Sequence, residues 1–137
     1  MVVDTMVFAY ALLGVPRFRE ESALVLESAD DIVVPDSFRA ELGNVVWQWG
    51  REHDLGRELC HAVLGDAEAL VTKVVATDLL SAQALDFSMD RNHPFYDTLF
   101  VATAVKVGTK VVTYDKKLIK KFPALTILPT DYLSSET

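Results

Sequence analysis

The segment YDTLFVATAVKVGTKVVTYDKKL, residues 96–118, predicts a helix, a strand and a second helix in close succession. Pro94, just before it, favours the first turn of a helix, and Gly108 is a residue type that commonly ends one. The apolar run at 110–113 then predicts a strand, and a short helix is expected after Asp115. The inner face of the long helix is expected to hold Phe100, Val101, Ala104 and Val105.

The same alternation of strands and helices extends over the rest of the chain. Four more short runs predict strands, at 1–3, 32–34, 72–75 and 125–128. Helical patterns separate them, at 5–13, 18–29, 36–52, 55–70 and 77–89. Asp36 or Ser37 is expected to cap the helix at 36–52. Strands that alternate with helices predict an α/β fold around a mostly parallel sheet of about four or five strands. The 137 residues are expected to form a single domain, residues 1–137.

The composition limits the class of protein. Half of the residues are hydrophobic and 24% are charged, which is an ordinary balance for a globular protein. The net charge of -7 argues against non-specific binding of nucleic acid by the unaided protein. It leaves open a nucleic-acid enzyme, because bound divalent cations would supply positive charge at its site.

Cysteine usage and hydropathy predict the compartment. The single cysteine, Cys60, excludes an internal disulfide and a cysteine-based zinc site, and it favours a reducing cytoplasm. No signal peptide is expected, because Asp4 interrupts the first apolar run and no basic segment precedes it. No apolar run approaches the ~18 residues of a membrane-spanning helix. We therefore expect a cytoplasmic protein.

Four acidic residues stand where strands end or helices begin. Asp4 follows the first strand and Asp115 the fourth, while Glu41 and Asp97 lie early in helices. The carboxyl ends of parallel strands share one edge of a sheet, so the four side chains could converge there. Two carboxylates ~4 Å apart repel by roughly 4 kcal/mol at an effective dielectric constant of about 20, so a cluster of them favours a bound cation. Oxygen ligands select hard ions such as Mg²⁺ or Mn²⁺.

Each acid also has an ordinary structural interpretation. Asp4 and Asp115 could cap the helices that follow them. Asp97 could interact with the dipole of a helix N-terminus, and Glu41 could be a solvated surface residue. Taken singly, these interpretations compete well with a site, whereas the four positions taken together favour one.

These features together resemble the PIN domain, and in particular the VapC-type toxin ribonucleases. The resemblance is carried by VVDT at 2–5, by the helix that starts near Asp36 and contains Glu41, and most specifically by the segment 96–118. It extends over about residues 2–128. It implies an α/β/α sandwich and a Mg²⁺- or Mn²⁺-dependent ribonuclease that hydrolyses RNA phosphodiester bonds, as the toxin of a type II toxin–antitoxin system.

The resemblance also implies roles for individual residues. The implied metal ligands and catalytic acids are Asp4, Glu41, Asp97 and Asp115. Thr113, two residues before the last acid, matches a hydroxyl residue of the family and is implied to hydrogen-bond a ligand carboxylate or a water. Glu52 is the alternative to Glu41, because the intervening region varies in length. Thr5 occupies a small or hydroxyl position common in the family, whereas Met6 replaces a small polar residue.

Basic residues near these acids have two interpretations. The sequence places four lysines within six positions, at Lys116, Lys117, Lys120 and Lys121. They could contact RNA phosphates, or they could form a solvated face that balances charge. Arg39 is a further candidate for a phosphate contact. His93, four residues before Asp97, could touch the substrate, although the three histidines share no spacing typical of a metal site.

The resemblance implies three partners: an RNA substrate, a cognate antitoxin and a second copy of the chain in a homodimer or higher homo-oligomer. The antitoxin could insert a basic side chain into the acidic site. A non-catalytic PIN-fold module in an RNA-processing assembly is the alternative function. A phosphoacceptor receiver domain is disfavoured, because Asp30 and Asp31 precede a strand instead of following one. A dinucleotide-binding fold is disfavoured by the lack of a G-x-G-x-x-G motif.

Overall fold

The computed structural model describes residues 1–135. The strands are β1 (Val2–Val3), β2 (Val33–Pro35), β3 (Lys73–Val75), β4 (Val111–Val112) and β5 (Thr126–Ile127). The helices are α1 (Thr5–Leu12), α2 (Arg19–Ser28), α3 (Ser37–Glu52), α4 (Arg57–Leu70), α5 (Ser81–Arg91), α6 (Phe95–Val107), α7 (Lys116–Lys121) and α8 (Pro129–Ser135). The five predicted strands are confirmed. The helix expected at 77–89 begins instead with a 3₁₀ turn, Thr77–Leu79, and α8 was not predicted.

The five strands form one parallel sheet in the order β3-β2-β1-β4-β5. Val2 of β1 pairs with Val33 of β2 on one side and with Val111 of β4 on the other. The valines of β1 and β4 are fully buried, as expected of strands covered on both faces. The predicted α/β fold with a parallel sheet is therefore confirmed.

Helix α6 lies deep in the core and contacts β1, β2 and β4. All residues from Thr98 to Ala104 are buried, so the helix is enclosed around its circumference. Val105, predicted to face inward, is 38% exposed, because the helix leaves the core near its C-terminal end. Gly108 ends the helix with a φ of 73°, a left-handed conformation that glycine adopts without strain.

The other helices complete the layers around the sheet. α1 contacts α2, α3 and α4, while α8 packs against α2 and α5 packs against α6. The sheet is therefore central and flanked by helices. Within residues 1–135, no helix is both long enough and apolar enough to cross a membrane.

The strand order creates a crevice at β1 and β4. From β1 the chain continues through α1 and α2 to β2 on one side, whereas β4 leads through α7 to β5 on the other. In open α/β sheets, a crevice forms beyond the carboxyl ends of the strands where the order reverses in this way. Asp4 and Asp115 lie at this crevice, because each follows one of the two strands.

Candidate metal centre

Asp4 lies at the carboxyl end of β1, where α1 begins. Its Oδ1 accepts a hydrogen bond from the backbone N–H of Thr5 at 2.8 Å, so Asp4 caps α1. Its Oδ2 accepts a hydrogen bond from the hydroxyl of Thr113 at 2.7 Å. Both oxygens of Asp4 are therefore fixed by residues next to β1 and β4.

Thr113 links the first predicted acid to the last. Its buried hydroxyl donates to Asp4 and accepts the backbone N–H of Asp115 at 3.0 Å. Asp115 in turn caps α7, because its Oδ1 accepts from the backbone N–H groups of Lys117 at 3.0 Å and Leu118 at 3.1 Å. The capping interpretation is thus confirmed for both aspartates, and it leaves Oδ2 of Asp115 unused by the cap.

Glu41 reaches the same region from α3. Its Oε2 accepts a hydrogen bond from the hydroxyl of Thr5 at 2.9 Å. Its Oε1 is buried and has no hydrogen-bond partner among the described residues. A buried carboxylate oxygen without a partner is unfavourable, and a bound cation would satisfy it. Glu52, the alternative to Glu41, is exposed at the C-terminal end of α3.

Asp97 lies in the first turn of α6 and is paired with His93. Nε2 of His93 is 2.8 Å from Oδ2 of Asp97, and only 6% of the histidine side chain is exposed. His93, Asp97 and Asp115 each offer a ligand atom, and these atoms lie within 4.8 Å of one another. His93 is thus part of the cluster, although its spacing to the other histidines gave no sign of this. The useful signal was its position one helical turn before Asp97.

One cavity of about 420 Å³ brings the predicted acids together. The four acids that line it are Asp4, Glu41, Asp97 and Asp115. Thr5, Met6, Tyr10 and Tyr114 also line it, whereas Glu52 does not. The geometry therefore favours Glu41 over Glu52 as the acid contributed by α3.

Burial disfavours the charged forms of Asp4 and Glu41. Burial raises the pKa of Asp4 from 3.8 to about 6. The hydrogen bond from Thr113 opposes the increase, whereas the charges of Asp97 and Asp115 add to it. Burial likewise raises the pKa of Glu41 from 4.5 to about 7, and the nearby charge of Asp4 adds to the increase. Both carboxyls therefore favour a proton or a cation beside them.

Asp97 follows the same trend. Burial raises its pKa, the hydrogen bond and charge of His93 oppose the increase, and the charge of Asp115 adds to it. Three of the four carboxylates use one oxygen in a hydrogen bond and leave the other without one inside the described structure: Oε1 of Glu41, Oδ1 of Asp97 and Oδ2 of Asp115. Such carboxylate oxygens form a donor set that fits a hard divalent cation.

Comparison with known proteins identifies the family. The family model described as "PIN domain" matches residues 1–124. The chain belongs to the PIN-domain family. Ribonuclease VapC3 from Pyrobaculum aerophilum is 32% identical over 130 residues, which cover 91% of this chain and 96% of that protein.

Solved structures share the PIN fold of this chain. PAE2754 from Pyrobaculum aerophilum has a TM-score of 0.66 at 20% identity, over 98% of this chain and 93% of its own. A toxin–antitoxin complex from Klebsiella pneumoniae has a TM-score of 0.62 at 16% identity, over 93% and 96%. FitAcB from Neisseria gonorrhoeae has a TM-score of 0.67 at 18% identity, over 94% and 97%. At these identities the similarity concerns the fold.

A second cavity of this PIN domain, of about 660 Å³, adjoins the acidic one and shares Asp97 and Asp115 with it. Lys117, Lys120 and Lys121 also line it. The ammonium groups of Lys117 and Lys120 take part in no ion pair or hydrogen bond in the part of the chain that the structure describes. The acidic cavity therefore continues into one with free positive charge.

Two other basic candidates, Lys121 and Arg39, are engaged in structural contacts. Nζ of Lys121 donates to the carbonyl oxygens of Arg91 at 2.8 Å and Asn92 at 2.9 Å, which ties α7 to the end of α5. The guanidinium of Arg39 donates to both carboxylate oxygens of Glu68 and, at 2.8 Å, to Asp36. Arg39 is therefore held by α4 and does not line the acidic cavity.

Proposed function

We propose that this chain is a metal-dependent ribonuclease that hydrolyses RNA phosphodiester bonds as the toxin of a type II toxin–antitoxin system, acting as a single domain in the cytoplasm. The observation that carries the proposal is the convergence of four carboxylates on one cavity, with a buried oxygen of Glu41 left without a partner. Membership of the PIN family and the relative named Ribonuclease VapC3 support the ribonuclease activity.

The proposed ligands of a Mg²⁺ or Mn²⁺ ion are Asp4, Glu41, Asp97 and Asp115. An ion held by these carboxylates would supply a water of lowered pKa and would neutralise charge on the scissile phosphate. Thr113 fixes the orientation of Asp4 by donating to Oδ2. His93 fixes Asp97 in the same way, through the contact at Oδ2. Residues that orient ligands in this manner tune the affinity of a metal site.

The basic side of the crevice fits an RNA backbone. Lys117 and Lys120 line the cavity that shares Asp97 and Asp115 with the acidic one. Their ammonium groups are free to contact phosphates next to the scissile one. This arrangement offsets the repulsion that an overall charge of -7 would exert on RNA.

An activity assay tests the proposal directly. Asp97→Asn should abolish cleavage of single-stranded RNA in Mg²⁺ or Mn²⁺ while the protein stays folded, as its circular dichroism spectrum reports. Asp66→Asn is the matched control, because Asp66 is an exposed aspartate on α4 that does not line the cavity. Full activity of Asp97→Asn would refute the assignment. A wild-type protein that binds neither Mn²⁺ nor RNA would favour the non-catalytic module.

An antitoxin and a second copy of the chain are the proposed protein partners. The solved toxin–antitoxin complex with the same fold supports an antitoxin. A cavity of about 380 Å³ between α3 and α4 offers apolar surface that includes Leu64 and Trp47, whose side chain is exposed. A basic side chain of the antitoxin could enter the acidic cavity and pair with its carboxylates. Light scattering of the purified protein and neutralisation of its toxicity by a co-expressed neighbouring gene test the two partners.

A further inference from the structure

Three aromatic rings form a cluster beside the acidic cavity. The ring of Tyr10 stacks on that of Phe18, with centroids 4.4 Å apart and planes at 15°. The ring of Tyr114 meets both at steep angles, 5.4 Å from Tyr10 and 5.0 Å from Phe18. Tyr10 and Tyr114 line the same 420 Å³ cavity as the four carboxylates, whereas Phe18 does not line it and supports the ring of Tyr10.

Hydrogen bonds of Tyr114 hold the cluster in place. The hydroxyl of Tyr114 donates to Oε1 of Glu21 at 2.9 Å and lies 2.9 Å from the hydroxyl of Ser22. Thr130 of α8 donates to the other oxygen of Glu21 at 2.7 Å. These bonds hold Tyr114 between α2 and the end of β4. Its ring position is therefore fixed before any ligand arrives.

Tyr10 offers the accessible part of the cluster. It is only partly buried, whereas Phe8 on the same helix is fully buried. Its hydroxyl has no hydrogen-bond partner elsewhere in the described chain, although buried tyrosines usually pair theirs. A ring that lines a cavity and is supported from one side by a second ring is suited to stack on a planar ligand.

We propose that Tyr10 and Tyr114 form a subsite for the nucleobase beside the scissile phosphate. This inference rests on the proposed ribonuclease function and adds how the RNA is held. Aromatic side chains stack on every base, since each base has a π-face, so the subsite is tolerant of sequence and selects unpaired strands. The cavity volume also falls within the range of small-ligand sites, about 300 to 1,000 Å³.

The two cavities then hold the parts of one RNA strand that lie on either side of the cleavage site. Asp97 and Asp115 line both cavities, so the scissile phosphate lies over them. The base of one neighbouring nucleotide enters the cavity of Tyr10, while the backbone on the other side passes Lys117 and Lys120. The strand therefore crosses the crevice along the line from the tyrosines to the lysines.

The test combines ring substitutions with an RNA that lacks one base. The substrate is a short single-stranded RNA, chosen by sequencing the products of a random pool, and its derivatives carry a single abasic ribose at each position in turn. Tyr10→Ala should lower kcat/KM by about 5- to 150-fold, the size of one base–aromatic stack. Tyr10→Phe should retain activity, whereas Tyr10→Leu, which keeps apolar volume without an aromatic ring, should resemble Tyr10→Ala.

The abasic derivatives separate stacking from a merely structural effect. Removing the base beside the cleavage site should impair the wild-type enzyme and have little further effect on Tyr10→Ala. Trp49→Ala is the control, because Trp49 is a half-buried ring that packs against His53 and does not line the cavity. Equal abasic penalties in wild type and Tyr10→Ala would overturn the subsite. The same holds if Tyr10→Leu is as active as wild type.

A failure of the proposed subsite can be distinguished from a failure of the proposed function. Calorimetric titration with Mn²⁺ should give the same affinity for wild type and Tyr10→Ala, because Tyr10 ligates nothing in the cluster. If wild type cleaves no RNA and binds no Mn²⁺, the ribonuclease proposal fails and takes the subsite with it. If wild type cleaves RNA and Tyr10→Ala does so equally well, only the subsite is wrong.

Discussion

Replacing Asp4 with asparagine should stabilise the metal-free protein at alkaline pH, although it removes a hydrogen-bonded carboxylate. The pKa of Asp4 is raised from 3.8 to about 6, chiefly by burial, so the folded state favours the protonated acid. Between those two values the native protein binds more protons than the unfolded chain, and the free energy of unfolding falls as the pH rises. The contribution of protonated Asp4 to the free energy of unfolding is therefore complete below about pH 4. It is lost as the pH rises through about 6.

The size of the effect follows from the displacement of the pKa. At about 1.4 kcal/mol for each pH unit of displacement, the cost of ionised Asp4 is about 3 kcal/mol above pH ~7. Asparagine avoids this cost, but the hydroxyl of Thr113 loses a charged acceptor, which costs about 1 to 2 kcal/mol. We expect Asp4→Asn to be more stable than wild type by about 1 to 2 kcal/mol near pH ~8. Near pH ~4, where the wild-type acid is protonated, it should be less stable by about 1 kcal/mol.

Urea unfolding in the presence of a chelator measures this difference at both pH values. Asp66→Asn should show no such change of sign, since Asp66 is exposed on α4. Excess Mn²⁺ near pH ~8 should reverse the order, because a ligand at about 100 times its Kd stabilises the protein that binds it by about 2.7 kcal/mol. If Asp4→Asn is less stable than wild type near pH ~8 without metal, the reasoning from burial is wrong.

Two further predictions concern residues around the acids. His93→Ala should weaken Mn²⁺ binding by about 10- to 100-fold, because the proposed ligand Asp97 loses the group that orients it. Calorimetry measures the affinity, and an unchanged Kd would show that His93 only packs. In an inactive Asp97→Asn background, replacing Lys117 and Lys120 with glutamine should reduce the slope of log Kd against log salt for single-stranded RNA by about 1.4, or about 0.7 for each lost phosphate contact. An unchanged slope in a fluorescence-anisotropy titration would show that these lysines only balance charge.

The elements that could be predicted from the sequence are those with local signals. Gly108 ends α6 and Asp115 caps α7, because each acts through its own backbone neighbourhood. Asp36 shows the limit of such signals. It stands at the N-cap position of α3, yet its side chain makes no capping hydrogen bond and pairs instead with Arg39. Arg39 is in turn held by Glu68, far along the chain, so its predicted phosphate contact depended on a tertiary contact that the sequence does not show.

Long-range packing also explains which site residues were undervalued. The position of His93 one turn before Asp97 was visible, but its burial depends partly on Phe122 beyond α7, whose ring centroid lies 6.4 Å from that of the histidine. The contact between the rings of Tyr10 and Tyr114 likewise joins segments that are distant in sequence. The four acids were singled out individually by their positions after strands and early in helices. Their convergence required the strand order that places β1 beside β4.

The structural and catalytic interpretations of Asp97 and Asp115 do not compete, because they use different oxygens. Asp115 caps α7 with Oδ1 and leaves Oδ2 without a hydrogen bond inside residues 1–135, and Asp97 holds His93 with Oδ2 and leaves Oδ1. A cap alone needs one exposed acid per helix and gains nothing from a second carboxylate nearby. Here burial and mutual repulsion raise the pKa of Asp4, Glu41 and Asp97, so the cluster lowers the stability of the metal-free fold. Acids that destabilise the fold at neutral pH and leave oxygens unpaired support the proposed cation site.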